Sequence, residues 1–141
     1  MNPALEKLEQ AVAQLTSPGE MFELNDVDIN GYSYRNYAGL PQNLNAYYQF
    51  MLMHAEKEFA VYNDERYTFA QGLQQGIEFA AALSDRYGIK KGDRVAILSR
   101  NNPQWMMAFI GITSIGAVAV PMNSWWTTEE LGYGFEDSGA K

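Results

Sequence analysis

Two short runs in which every side chain is apolar constrain this chain more than any other feature. Val95-Ala96-Ile97-Leu98 and Ala117-Val118-Ala119-Val120 have strand length and offer no polar position to water. That is the pattern of strands buried on both faces of a sheet. Between them, Asn102-Pro103 supplies a capping side chain and a proline whose missing N–H costs nothing at a first helical position. The helix so opened runs from Gln104 to about Ile115 and breaks at Gly116, and Pro121 is expected to stop the second strand. Thr127 and Glu130 have capping-box spacing and open a further helix that reaches Asp137-Ser138-Gly139. Strand, helix, strand and helix with short connections predict a parallel crossover and an α/β sheet.

Upstream, Thr68 and Gln71 form another capping box, and Leu73, Ile77, Ala80, Leu83 and Tyr87 give the stripe of a helix that Gly88 terminates. Phe59 to Tyr62 and Tyr67 to Phe69 flank Asn63-Asp64-Glu65-Arg66, which predicts a small β-hairpin. After Pro41, a second amphipathic helix is expected to bury Leu44, Tyr47, Tyr48, Met51 and Leu52. The first helix starts at Asn2-Pro3, with Leu5, Leu8, Val12 and Leu15 on one face. Asn30-Gly31, between Phe22 and Ala38, suits a type I′ hairpin turn. The chain thus divides into an N-terminal helix and extended arm, residues 1–41, and an α/β subdomain, residues 42–141.

Composition narrows the function classes. With 47% hydrophobic and 19% charged residues, the 141-residue chain is globular in character. A net charge of -7 repels phosphate backbones and argues against nucleic-acid binding. With no cysteine and one histidine, there is neither a thiolate metal site nor a Ser/His/Asp or Cys/His nucleophile set. Glu6 and Glu9 interrupt any signal-peptide core, and the longest apolar window, Trp105 to Val120, is too short and mixed to span a bilayer. The expectation is a soluble, cytoplasmic protein with no transmembrane segment.

Five stretches in register resemble one family. Asp64-Glu65-Arg66-Tyr67-Thr68-Phe69 is similar to the first conserved stretch of the AMP-forming acyl-CoA synthetases, the adenylate-forming superfamily. Lys91 to Leu98 resembles that family's strand entry, and Asn101-Asn102-Pro103-Gln104-Trp105 its following helix start. Ile115 to Asn123 resembles the next strand, and Thr127 to Lys141 the helix after it. The resemblance implies an N-terminal fragment of the large domain of an ATP-dependent acyl-CoA synthetase: a parallel sheet with flanking helices and a small hairpin. In the parent enzyme, a carboxylic acid, a fatty acid for example, would react with ATP and Mg²⁺ to form an acyl-adenylate, and coenzyme A would then take the acyl group. The family's phosphate loop, ribose carboxylate and lysine fall past the position equivalent to Lys141. No catalytic, cofactor-binding or metal residue is therefore assigned, and the fragment is expected to bind no cofactor and to be inactive as a ligase. A helix that ends at Gly139, where the next strand is due, reads as a sheet cut short and predicts self-association.

Individual residues carry competing readings. Gly111 to Gly116 has phosphate-loop spacing but lacks the Lys-Ser/Thr that follows one, so helix packing is expected. Arg100 and Asn101, and likewise Asn123 and Ser124, follow strands at the carboxyl edge where open α/β sheets bind ligands. They read either as anion contacts or as solvated turns with a helix cap, the latter being the expectation. Trp125-Trp126 departs from the family's polar or basic turn and could line an acyl tunnel, touch lipid or pack on further protein. His54 reads as a solvated helix-end residue, and the tyrosines at 32, 34, 37, 47 and 48 as packing rather than base stacking. The rival to the ligase reading is a stand-alone, non-catalytic α/β interaction module.

Overall fold

The computed structural model describes residues 2–141, which form two compact units, up to Pro41 and from Gln42 onward. In the first, α1 (Pro3–Leu15) starts where Asn2 accepts a hydrogen bond from the Ala4 amide and Pro3 takes the first helical position. Its apolar face stays open, with Leu5, Leu8, Val12 and Leu15 all exposed. β1 (Leu24–Ile29) and β2 (Tyr32–Tyr37) pair antiparallel from Leu24↔Tyr37 to Ile29↔Tyr32. Asn30 (φ 56°) and Gly31 (φ 84°) both take the left-handed conformation that a type I′ turn requires.

The second unit opens with α2 (Leu44–Tyr48), capped by Asn43, which passes directly into a 3₁₀ turn over Gln49–His54. The expected continuous amphipathic helix is therefore not formed. A 3₁₀ turn has three residues per turn, so a stripe written for 3.6 drifts off its face. Tyr48 is buried and Met51 half-buried, while Leu44, Tyr47 and Leu52 are exposed. The Tyr48 hydroxyl lies 2.7 Å from Thr113 Oγ1 and ties this segment to a later helix.

β3 (Glu58–Tyr62) and β4 (Glu65–Thr68) form the second hairpin, turning at Asn63 (φ 51°). α3 (Phe69–Tyr87) begins with the complete Thr68/Gln71 capping box and ends at Gly88, φ 63°. Its buried face comprises Gly72, Leu73, Gly76, Ala80 and Leu83. Ile77, expected on the stripe, is rotated to its flank and exposed, and Tyr87 in the last turn is 73% exposed.

β5 (Arg94–Leu98) and β6 (Val118–Met122) are parallel, in register from Arg94↔Val118 to Leu98↔Met122, and α4 (Pro103–Ser114) connects them. β6 runs through Pro121, which was expected to stop it. A proline is tolerated on an edge strand, where the missing donor interrupts no further ladder. The expectation of burial on both faces also fails. Val95 and Ile97 are buried, Ala96 is half-buried, and Arg94, Leu98 and Val118 are exposed. Against one face Leu83, Ile89, Val95, Ile97, Ile112 and Ala117 form the core, joined by Trp105, Phe109 and Ile115. On the other face cover is partial, since Met122 is buried against Gly134 while Leu98 and Val118 stay exposed. α5 (Thr128–Ser138) starts at the Thr127/Glu130 box and ends at Gly139, φ 60°.

α3 and α4 cross at Gly76 and Gly111. A Cβ on Gly111 would stand 2.6 Å from the Gly76 carbonyl oxygen, and one on Gly76 would meet Ile110 Cγ2 at 2.6 Å. Gly111 is therefore a helix-crossing glycine, as expected for it, and belongs to no phosphate loop.

Candidate functional site

The polar groove of the second unit lies at the carboxyl ends of β5 and β6, where side chains can converge without breaking the ladder. It encloses about 610 Å³ and is lined by Ser99, Arg100 and Asn101 after β5, and by Asn123, Ser124 and Trp125 after β6. Tyr62 of β3 and Trp105 of α4 complete its wall. The turn after β5 is fixed by its own side chains. Asn102 accepts from the Trp105 amide at 3.0 Å to cap α4, and its amide nitrogen donates to Ser99 Oγ at 3.1 Å. The turn after β6 is fixed likewise, since Asn123 Oδ1 accepts from the Trp125 amide at 3.0 Å.

The two tryptophans have different surroundings. Trp126 lies against α5, where a Cβ on Gly134 would come within 2.9 Å of its ring. Trp125 is 76% exposed, and the Arg100 guanidinium carbon sits 4.7 Å from its ring centroid. Such a contact contributes on the order of 0.5–1 kcal/mol at an exposed site. It holds the guanidinium at the groove while leaving the edges of its fork unused. Among the described residues, Arg100 has no carboxylate in ion-pair range.

The sequence pointed to Arg100, Asn101, Asn123 and Ser124, and the structure gathers all four around one groove. Asn123 is committed to its turn. The contributions of Tyr62 and Trp105 were not foreseen, because they depend on how the hairpin packs beside the start of α4. His54 stands exposed at the end of the 3₁₀ turn with its ring 6.1 Å from Phe69. Among the described residues, no group of three or more carboxylate, histidine or cysteine side chains is placed to hold a metal ion. No described helix is long and apolar enough to cross a membrane.

A parallel β5–α4–β6 unit preceded by a hairpin and a capped helix defines the class of protein. The family profile described as AMP-binding enzyme matches residues 49–141, and the chain belongs to that family. Over 92 residues it is 36% identical to a long-chain-fatty-acid–CoA ligase of Escherichia coli O6:H1, a match covering 65% of this chain and 16% of that protein. It is 33% identical over 86 residues to 4-hydroxybutyrate–CoA ligase 2 of Metallosphaera sedula, covering 61% of this chain and 16% of that enzyme. The crystal structure of the N-terminal domain of FACL13 from Mycobacterium tuberculosis superposes with a TM-score of 0.67 at 32% identity, covering 72% of this chain and 26% of that one. The fold is thus part of the N-terminal domain of an adenylate-forming enzyme, and the chain spans about a sixth of the length of these curated relatives.

Proposed function

We propose that this chain is an N-terminal segment of an ATP-dependent acid–thiol ligase of the acyl-CoA synthetase type, acting in the cytoplasm on a carboxylic acid. In the parent reaction a carboxylate oxygen attacks the α-phosphorus of ATP and pyrophosphate leaves. The sulfur of coenzyme A then attacks the acyl carbon of the adenylate, and AMP leaves. The observation that carries the reading is the family match over residues 49–141, which contains the parallel β5–α4–β6 unit.

The residues present do not fit a magnesium–triphosphate site. The groove offers one cation, Arg100, and no carboxylate, and the described residues gather no metal-holding cluster. No glycine-rich phosphate loop follows β5 or β6. The chain's own part in the ligase is therefore structural: it sets two strands and three helices against which later segments pack. On this reading the isolated 141 residues form no acyl-adenylate. The relatives are named for acids as different as a long-chain fatty acid and 4-hydroxybutyrate.

A chimera tests the proposal. Residues 49–141 replace the matching segment of the E. coli long-chain-fatty-acid–CoA ligase, and acyl-CoA formation is measured. Retained activity is expected; a folded chimera without activity contradicts the reading. The rival, a stand-alone interaction module, draws on the exposed Trp125, Leu98 and Val118. It predicts that the chain works without any following segment.

A further inference from the structure

The turn of the β1–β2 hairpin joins Asn30 to Gly31, and both residues are exposed and left-handed, at φ 56° and 84°. No other asparagine of the chain precedes a glycine. A Cβ on Gly31 would meet nothing within 4 Å, so neither its own residue nor a neighbour crowds the peptide nitrogen after Asn30. Asn43, Asn102 and Asn123 engage backbone amides with their side-chain oxygens; among the described residues, the Asn30 side chain has no such partner. One contact restrains the turn, since the Gly31 N–H donates to Asp28 Oδ1 at 3.0 Å.

We infer that Asn30–Gly31 is a site of spontaneous deamidation and that the Asp28 carboxylate slows it. The Gly31 nitrogen gives its proton to hydroxide and attacks Asn30 Cγ. The new C–N bond closes a succinimide as the Cγ–Nδ2 bond breaks, and ammonia leaves with a proton from water. Water then opens the ring. Addition at Cγ gives aspartate with the main chain intact, and addition at the main-chain carbonyl gives isoaspartate, whose backbone runs through Cβ. Asp28 opposes the first step. Its hydrogen bond holds the proton on the Gly31 nitrogen, and its negative charge disfavours the anion that deprotonation creates. Isoaspartate lengthens a two-residue turn by a methylene, and such a turn fixes the register of its strands. The pairs Ile29↔Tyr32 and Asp28↔Ser33 are therefore the first to be displaced. The site lies in the first unit, outside the residues 49–141 that the family profile matches, and is independent of the ligase reading.

Incubation of the 141-residue chain in mildly alkaline buffer tests it, with peptide mapping by mass spectrometry and labelling by an isoaspartate-specific methyltransferase. Asn30 is expected to convert before Asn63, which is also left-handed and exposed but precedes Asp64. Asp28→Ala should speed conversion at Asn30 by roughly tenfold, the factor equivalent to one hydrogen bond to a charged group. Asp28→Asn keeps an acceptor oxygen without the charge, and its rate should fall between those of the parent and Asp28→Ala. Amide-exchange protection along β1 and β2 should match the parent chain in both variants. Conversion at Asn30 no faster than at Asn63, a rate unchanged or lowered in Asp28→Ala, or acceleration accompanied by opening of the whole hairpin ladder would overturn the assignment.

Discussion

Gly111 lies against Gly76 so closely that a Cβ on Gly111 would stand 2.6 Å from the Gly76 carbonyl oxygen and 3.1 Å from the Ala80 amide nitrogen. Both are backbone atoms of α3 and cannot turn aside as a side-chain end could. This contact sets how closely α3 and α4 approach each other.

Gly111→Val should therefore destabilise the chain by about 1–3 kcal/mol, the usual range for overpacking a closed interior. Urea unfolding measures it. Gly132 in α5 provides the contrast, because a Cβ there meets nothing within 4 Å. Gly132→Ala should stabilise by up to about 1 kcal/mol through helix propensity.

The Tyr48–Thr113 hydrogen bond, 2.7 Å long and 65 residues apart in sequence, joins the segment after Pro41 to α4. Tyr48→Phe keeps the ring and removes the hydroxyl. The expected cost is about 1 kcal/mol in a denaturant titration, the net value of one such bond. No change would mean that the contact is not made in solution.

Asp93 titrates below the ordinary carboxylate range because Lys141 donates to its side chain and the Lys90 amide donates as well. A carboxyl group whose pKa is depressed by folding stabilises the folded state above its unfolded pKa of about 4, and this stability is lost as pH falls through the lower folded value. Asp93→Asn should therefore be less stable than the parent at neutral pH, with the gap closing below about pH 4. A gap that persists unchanged in acid would assign the effect to something other than charge.

β5 and β6 each lack a neighbour on one side, and their second face carries exposed Leu98 and Val118. Open edges of this kind pair with other chains. Size-exclusion chromatography of the 141-residue chain should show larger species as concentration rises. A monomer that holds at high concentration would count against that expectation.

Local chemistry made most of the fold legible. The capping boxes at Thr68/Gln71 and Thr127/Glu130 and the left-handed glycines at 88 and 139 are where side-chain type alone indicates them. The parallel pairing followed from the all-apolar runs and the length of the crossover. What the runs could not show is how many of their faces are covered. Val95 and Leu98 read alike in sequence, yet one is buried and the other 46% exposed, because burial depends on what packs from outside the run. The same limit explains Leu52, whose stripe was legible while the 3₁₀ winding under it was not. In the groove, Arg100 and Asn101 could be placed from strand order alone. Tyr62 and Trp105 could not, since they are brought to it only by tertiary packing.

Spin-label distances across β5 and β6 probe most directly the strand arrangement on which this account rests, and the chain contains no cysteine to compete with introduced ones. One doubly labelled variant carries cysteines at Arg94 and Val118, which face each other in register; the other carries them at Leu98 and Val118. Parallel strands predict that the first pair is closer than the second by roughly 10 Å, from a rise of about 3.3 Å per residue. The reverse order, or two distances that do not differ, would mean that the strands are antiparallel or unpaired.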